Sequence, residues 1–521
     1  MSYEKARFGV ITVLLLTLFF EALLRYFSLS TNVFDLGLFS NNLYNSQTEY
    51  QRGLSGHAHG FFALLALAYI SLPSVIAPLF LIFIQWLTLS TAVFLVWRFW
   101  GFLPSLAMAL YYPFWALGLF DFHFDCLIIL ILVIFFISCE RQKFWWAALL
   151  AMSLVFVKEP FALQSASCGL YLYFLACRVA NRDYRLQLIS SGTLLVVWGF
   201  SWFYIYVHWI LPYFGGSESG ALGSPAFSWL GSNLVDIFLY ILLHPVSLLQ
   251  DIIHTPGKIK YLFVVFGSLG FIPFVSPGAL IVAAPILLIS LVSHLSNHYD
   301  YATHYTAGLI VPAIVAFRDG FSTVRVKFLT ALPCQTVFYV ITLVILFGSH
   351  WAFASSPISR LFWSDKVWSY SWQSYLPSAR DLTLKAAMLT HVPVDRNLSV
   401  SSQNTVNWGH LAHRNLYLPF PLGVVSPHKV IDFSNRDFAG LWRYILTGYK
   451  PDLLAYETRV DYVVLDFKRP WFIVDAGCDW LYGACTNMQK AAEFLDLVAL
   501  TRRRYDTVYN SDGFMILKRR P

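Results

Sequence analysis

Apolar runs dominate this chain up to about Gly348 and then largely stop. The first, "FGVITVLLLTLFF" (Phe8 to Phe20), carries no charge and belongs to an apolar stretch of about 20 residues, the length of a membrane-crossing helix. Backbone groups inside a bilayer must satisfy one another, so runs of this length are read as helices. Composition agrees, since 57% of residues are hydrophobic, 18% aromatic and only 12% charged. An ordinary soluble domain carries about 25% charged residues. The chain therefore reads as a polytopic membrane domain, residues 1–349, followed by a water-soluble tail, residues 350–521. The net charge of +7 is expected to reflect cytoplasmic loops, and no basic patch interleaved with aromatics points to nucleic acid.

Apolar length and Gly, Pro or charged breaks place helices at 8–27, 75–97, 103–119, 124–139, 144–157, 160–177, 186–211, 260–274, 277–295, 304–317 and 328–349. That is about eleven spans. Lys5 and Arg7 precede the first, with no small-residue cleavage site after it, so a retained helix with its N-terminus inside is expected. The alternation then puts Arg98, "ERQK" (Glu140 to Lys143), "RVANRDYR" (Arg178 to Arg185), Arg318, Arg325 and Lys327 in cytoplasmic connections, as the positive-inside rule requires. None of the 14 histidines falls in those connections. An odd count leaves the tail outside. Counting "HGFFALLALAYISL" (His59 to Leu72) as a further span would invert this arrangement, but its length suits an interfacial segment better.

Four polar stretches then meet on the outer side: "NVFDLGLFSNN", "GLSGHAHG", "DFHFD" and "VKEP". Ionisable groups at a membrane surface are costly to desolvate, so their convergence marks a candidate functional site. Its members are Asp35, His57, His59, Asp121, His123, Asp125, Lys158 and Glu159. Each also has a plainer reading: Asp35 or Asp121 as a helix cap or turn residue, Lys158 with Glu159 as an interfacial ion pair. Two His at i, i+2 beside "DFHFD" have the ligand types of a zinc or manganese site, without a fixed spacing to a third ligand. No cofactor is expected. A divalent metal held among His57, His59, Asp121 and His123 is the alternative. "HLSNHYDYATHYTAG" concentrates His294, His298, Asp300, His304 and Tyr305 at the outer ends of two helices, where they are expected to line the acceptor side.

"FDLGLFSNNLYN", "FDFHFD", "VKEPFAL" and "HYTAGLIVPAIVA" resemble a bacterial family of predicted membrane proteins classed as a domain of unknown function (two-zero-seven-nine). The resemblance covers nearly the whole chain and extends into the tail at "DRNLSVSSQNTVNWGHLAHRNLYLPFP" and "VDYVVLDFKRPW". Gly56 and Pro160 stand where that family tends to have acidic residues, which weakens a metal site. The family in turn looks like the GT-C glycosyltransferases, integral-membrane enzymes with an essential carboxylate soon after the first helix, the place held here by Asp35.

That resemblance implies a GT-C-like all-α bundle with an outward site, transferring a sugar from a polyprenyl-phosphate donor to a glycan, lipid or protein acceptor outside the inner membrane. Asp35, Asp121 and Glu159 would be the catalytic candidates. Lys158, His57, His59, His123, Asp125, Arg52, His304 and Tyr305 would bind substrate. A transporter or lipid-binding protein, with an outward polar site and no catalysis, is the competing class. The crowding of polar residues on one face, with no internal repeat, favours the enzyme.

In the tail, "LSVSS", "NLYLPF", "DYVVLDF" and "FMILKR" read as strands and "MQKAAEFLDLVALTRRR" as a helix, hence a small α/β domain without a phosphate-binding glycine loop. Cys478 and Cys485 are spaced for a disulfide in an oxidising location.

Overall fold

The computed structural model describes residues 3–46, 60–210, 226–300, 303–327, 329, 331–364, 371–427, 454–456, 460–469 and 488–521. Up to Phe353 they are almost entirely helical. The first part comprises α1 (Tyr3–Phe27), a π-helical turn (Val33–Gly37), α2 (Leu38–Asn45), α3 (Phe62–Ile70), α4 (Ala77–Trp100), α5 (Phe102–Leu110) and α6 (Tyr112–Leu119). Next come α7 (Cys126–Glu140), α8 (Phe144–Met152), α9 (Pro160–Ala176) and α10 (Arg182–Ile205), the last continued by a π-helical turn to Ile210. Further helices follow at Leu234–Leu243, Pro245–His254, Pro256–Gly267, Leu280–Val292, Ala307–Lys327 and Leu332–Phe353. All eleven expected spans coincide with helix. By length and composition, however, five helices among the described residues qualify as membrane crossings, and up to seven if each bent pair is one span, so eleven crossings are not shown. The short α3 falls where an interfacial segment is expected.

Two features depart from the sequence reading. The interval 103–119, expected as one span, is broken: α5 and α6 meet at 54°. Pro113 in the first turn of α6 has no N–H to continue the α5 ladder, so the last carbonyls of α5 need other donors. Trp115 Nε1 donates to Ala109 O at 2.6 Å, and His350 Nδ1 lies 2.9 Å from Leu110 O. The pair Leu234–Leu243 and Pro245–His254, bent by 85° at another proline, lies between the expected spans.

The bundle is held by close helix approach as much as by side-chain bulk. α9 and α10 pack through Gly169 and Gly192, and a Cβ on Gly169 would lie 2.5 Å from Gly192 O. Small residues at such seams let backbones meet where lipid offers no hydrophobic drive. Of the membrane-domain cysteines, Cys126, Cys139 and Cys168 are buried as small apolar groups, while Cys177 and Cys334 are exposed.

α1 and α4 run antiparallel, with Phe8 against Trp97 (centroids 4.7 Å) at one end and the Tyr26 hydroxyl donating to Val75 O (2.8 Å) at the other. At the first end Trp100 Nε1 donates to Glu140 (2.8 Å), Arg318 pairs with Glu140, and Arg141 covers the Phe99 ring at 4.4 Å. The basic connections around Arg98, Glu140 to Lys143 and Arg318 are thus gathered in space.

The tail combines helices with strands that form a small sheet. Its larger sheet runs β2 (Leu416–Pro419), β1 (Ser399–Ser402), β5 (Tyr462–Asp466), β7 (Phe514–Arg519), β6 (Tyr505–Ser511), with β1 parallel to both neighbours and β7 antiparallel to both of its own. A second, two-stranded pair joins β3 (Val425–Pro427) to β4 (Leu454–Tyr456). Asp512 and Gly513, both at positive φ (52° and 77°), make the β6–β7 turn. The helix Ala379–His391 opens on a capping box formed by Ser378 and Asp381. Cys478 and Cys485 lie outside the described residues.

Candidate functional site

At the end of α1 the chain leaves the helix carrying Arg25, whose Nη2 donates to Ser30 O at 2.9 Å and lies 3.5 Å from Asp121 Oδ1. Both side chains are buried, 6% and 0% exposed. The other Asp121 oxygen accepts the Asn32 N–H at 2.6 Å. Asp121 itself sits at φ 64°, a left-handed conformation that Asp tolerates better than most residues and that turns the chain sharply between α6 and α7. Gln85, buried on α4, fixes this turn. Its Nε2 donates to Asp121 O (2.6 Å) and to the terminal carbonyls of α6 at Leu117 and Gly118 (3.2 Å each), while its Oε1 accepts the His123 N–H at 2.9 Å. One carboxamide therefore caps α6 and sets the backbone of His123.

The π-helical turn that follows Asn32 brings Asp35 to the same place. Asn32 Nδ2 donates to Asp35 Oδ2 at 3.2 Å, and His123 Nε2 lies 3.4 Å from Asp35 Oδ1. Asp35 keeps 15% of its side chain exposed, in contrast with Asp121. The imidazole of His123 stacks on that of His304, with centroids 3.7 Å apart and planes at 20°. Phe120 packs beside both rings, at 5.6 and 5.1 Å.

Lys158 stands at the entrance to α9. Pro160 opens that helix in its first turn, where a missing N–H leaves no gap, which is a structural reason for proline at a position otherwise noted as acidic. The Lys158 ammonium is buried and lies 5.2 Å from the centre of the Tyr305 ring. Burial pulls its pKa down, but Asp125, Tyr305, Glu159 and Asp35 together outweigh that and leave it raised. It stays a cation among carboxylates. His298, which packs on Tyr305 at 4.6 Å, is pushed the other way: burial, reinforced by Lys158, lowers it to about 3, so it is neutral. The Asp121 carboxyl is raised by burial, against the opposing pull of Arg25.

Eight of the residues singled out from sequence thus gather at one end of the bundle: Asp35, Asp121, His123, Asp125, Lys158, Glu159, His304 and Tyr305. Arg52, His57 and His59 lie outside the described residues. Gly60, the next described residue, donates to Phe156 O at 2.7 Å, just before Lys158. Among the described residues there is no group of three or more His, Cys, Asp or Glu side chains arranged to hold a metal ion. Arg25, Asn32 and Gln85 were not singled out from sequence. Arg25 and Gln85 are polar residues within apolar helices, the signal by which they are recognisable.

The tail domain covers the same loop. Asn41 Nδ2 donates to Ala412 O and Arg414 O (2.7 Å each), Asn45 Nδ2 donates to Arg414 O (2.9 Å), and His413 stacks on Tyr44 at 4.6 Å. Arg469 Nη1 and Nη2 donate to Leu29 O and Ser28 O at 2.7 Å, just beyond α1.

No curated protein matches the sequence. A family model described as a predicted membrane protein (DUF2079) matches residues 25–438, most of the chain and all of the polar cluster described above. The chain belongs to this family of membrane proteins.

Proposed function

We propose that the protein is a GT-C-like glycosyltransferase of the inner membrane, taking a sugar from a polyprenyl-phosphate donor to an acceptor outside, with no metal in the reaction. The observation that carries this reading is that a partly exposed carboxylate, Asp35, and a buried cation, Lys158, stand within electrostatic reach of each other at one end of the helix bundle. In the proposed step an acceptor hydroxyl attacks the anomeric carbon and its proton passes to Asp35. The bond from that carbon to the phosphate oxygen breaks, the electron pair leaves with the phosphate, and Lys158 offsets the developing charge. His123, against Asp35, orients the carboxylate, and Asp121 holds the loop through Asn32. His304 and Tyr305 line the acceptor side, and Asp125 adds to the substrate-binding surface. The segregation of basic connections at the opposite end supports placing the site outside the cytoplasm.

The test is sugar transfer by the purified protein from a polyprenyl-phosphate sugar. Asp35→Asn is expected to lower turnover by about a hundred- to ten-thousand-fold while leaving donor binding intact. Lys158→Ala should weaken both. Full transfer by Asp35→Asn, or donor uptake without transfer by the wild type, would replace the enzyme with a transporter.

A further inference from the structure

We infer that Asn404 is a positioning residue for Asp35, capping from the tail domain the helical turn that carries the carboxylate; this rests on the reading of Asp35 as the base. The turn Val33–Gly37 has no side-chain cap of its own, since Asn32 directs its carboxamide to Asp35 and its N–H to Asp121. The first N–H groups of a helical turn have no partner within it. Asn404, 370 residues from Phe34, provides two acceptors: its backbone O takes the Val33 N–H at 2.9 Å and its Oδ1 takes the Phe34 N–H at 2.8 Å. Asn404 is 3% exposed, so solvent is a poor substitute.

Neighbouring contacts make this cap a register rather than a loose tether. Asn407 Nδ2 donates to Thr31 Oγ1 at 3.1 Å. Gly37 lies so close to the tail that a Cβ there would come within 2.8 Å of the Tyr417 ring and 2.9 Å of Asn407 Oδ1. Phe34, next to Asp35, packs onto the tail's own apolar core. The tail thus fixes one side of the turn while Asp121 fixes the other through Asn32. A shift of about 1 Å in a reacting group costs on the order of a hundredfold in rate, so a cap of this kind belongs to the reaction geometry although it touches no substrate.

The experiment compares full-length wild type, Asn404→Leu, which is near-isosteric but lacks the side-chain acceptor, and Asn404→Asp, which retains it. Hydrogen–deuterium exchange at Phe34, whose N–H meets Asn404 Oδ1, is expected to rise about tenfold in Asn404→Leu, the effect of one lost buried hydrogen bond, while Val33, held by the Asn404 backbone carbonyl that the variant keeps, and β1, β5 and α9 stay unchanged. Asn404→Asp should restore protection. With a polyprenyl-phosphate sugar as probe, Asn404→Leu should lower kcat at unchanged donor KM, and Asn404→Asp should recover it. Unchanged exchange in Asn404→Leu, acceleration spread equally over sheet and bundle, or no recovery in Asn404→Asp would overturn the inference. If Asn404→Leu does not fold, Asn404→Ala, which also lacks a side-chain acceptor, takes its place in the same comparison. A wild type inactive toward the donor overturns the proposed reaction alone, because the exchange measurement decides the cap without it.

Discussion

Asp121 and Asp35 are both carboxylates of one site, yet their surroundings assign them different work. Asp121 is fully enclosed and engaged by Arg25 and the Asn32 N–H, whereas Asp35 meets an imidazole and a carboxamide and retains exposure. Removing one partner of a buried ion pair leaves an uncompensated charge at a cost of about 3 to 5 kcal/mol. Asp121→Ala should therefore destabilise the folded protein by that amount, read as a lowered unfolding midpoint in detergent. The double change Arg25→Met with Asp121→Leu should recover part of the loss, since no uncompensated charge remains, although the Asn32 N–H and Ser30 O lose their partners. The sequence made the membership of this site legible because charges are rare in an apolar chain and "DFHFD" and "VKEP" stand out. It did not make the roles legible: nothing local tells that Asp121 meets Arg25 of α1, or that Gln85 of α4 caps α6, because those contacts exist only once the helices are packed.

At the scale of elements, the helix seams carry the comparable argument. A methyl group on Gly169 would collide with the backbone of α10, which cannot turn aside as a flexible side chain can, whereas Gly348 has nothing within 4 Å of where its Cβ would stand. Overpacking of this kind costs about 1 to 3 kcal/mol. Gly169→Ala should lower the unfolding midpoint, and Gly348→Ala, which gains helix propensity without a clash, should leave it unchanged or raise it. Equal behaviour of the two variants would mean that α9 and α10 are not in contact at this seam. Apolar length was enough to locate the helices, since lipid-compatible runs have few other conformations. It was not enough to show where Pro113 bends one of them, or that "LVDIFLYILLHPVSLLQDIIH" forms two helices at a steep angle, because Pro245 interrupts an apolar run too short on either side to register as a span. The strands of the tail were legible from β-branched and aromatic runs, but their order β2-β1-β5-β7-β6 depends on crossovers that no local pattern encodes.

For the molecule as a whole, the decisive property is polarity along the bundle axis. One end collects Arg98, Glu140 to Lys143 and Arg318; the other collects the carboxylates, the histidines and the tail domain that clasps them. Lys and Arg near the ends of spans resist translocation, so the first end is expected in the cytoplasm and the second outside. This orientation is a precondition of the proposed chemistry, because an acceptor outside the membrane can be reached only from that end. Lys143 and Asn397 are both exposed and lie at opposite ends, which makes them suitable reporters. In a background without the native cysteines, Asn397→Cys should react with a membrane-impermeant thiol reagent applied to the extracytoplasmic face of the membrane, and Lys143→Cys only after the membrane is permeabilised. Labelling of Lys143→Cys under the first condition would turn the bundle over, place Asp35 and Lys158 on the cytoplasmic side, and remove the extracytoplasmic acceptor from the proposal while leaving the geometry of the site, and the cap that Asn404 places on it, as described.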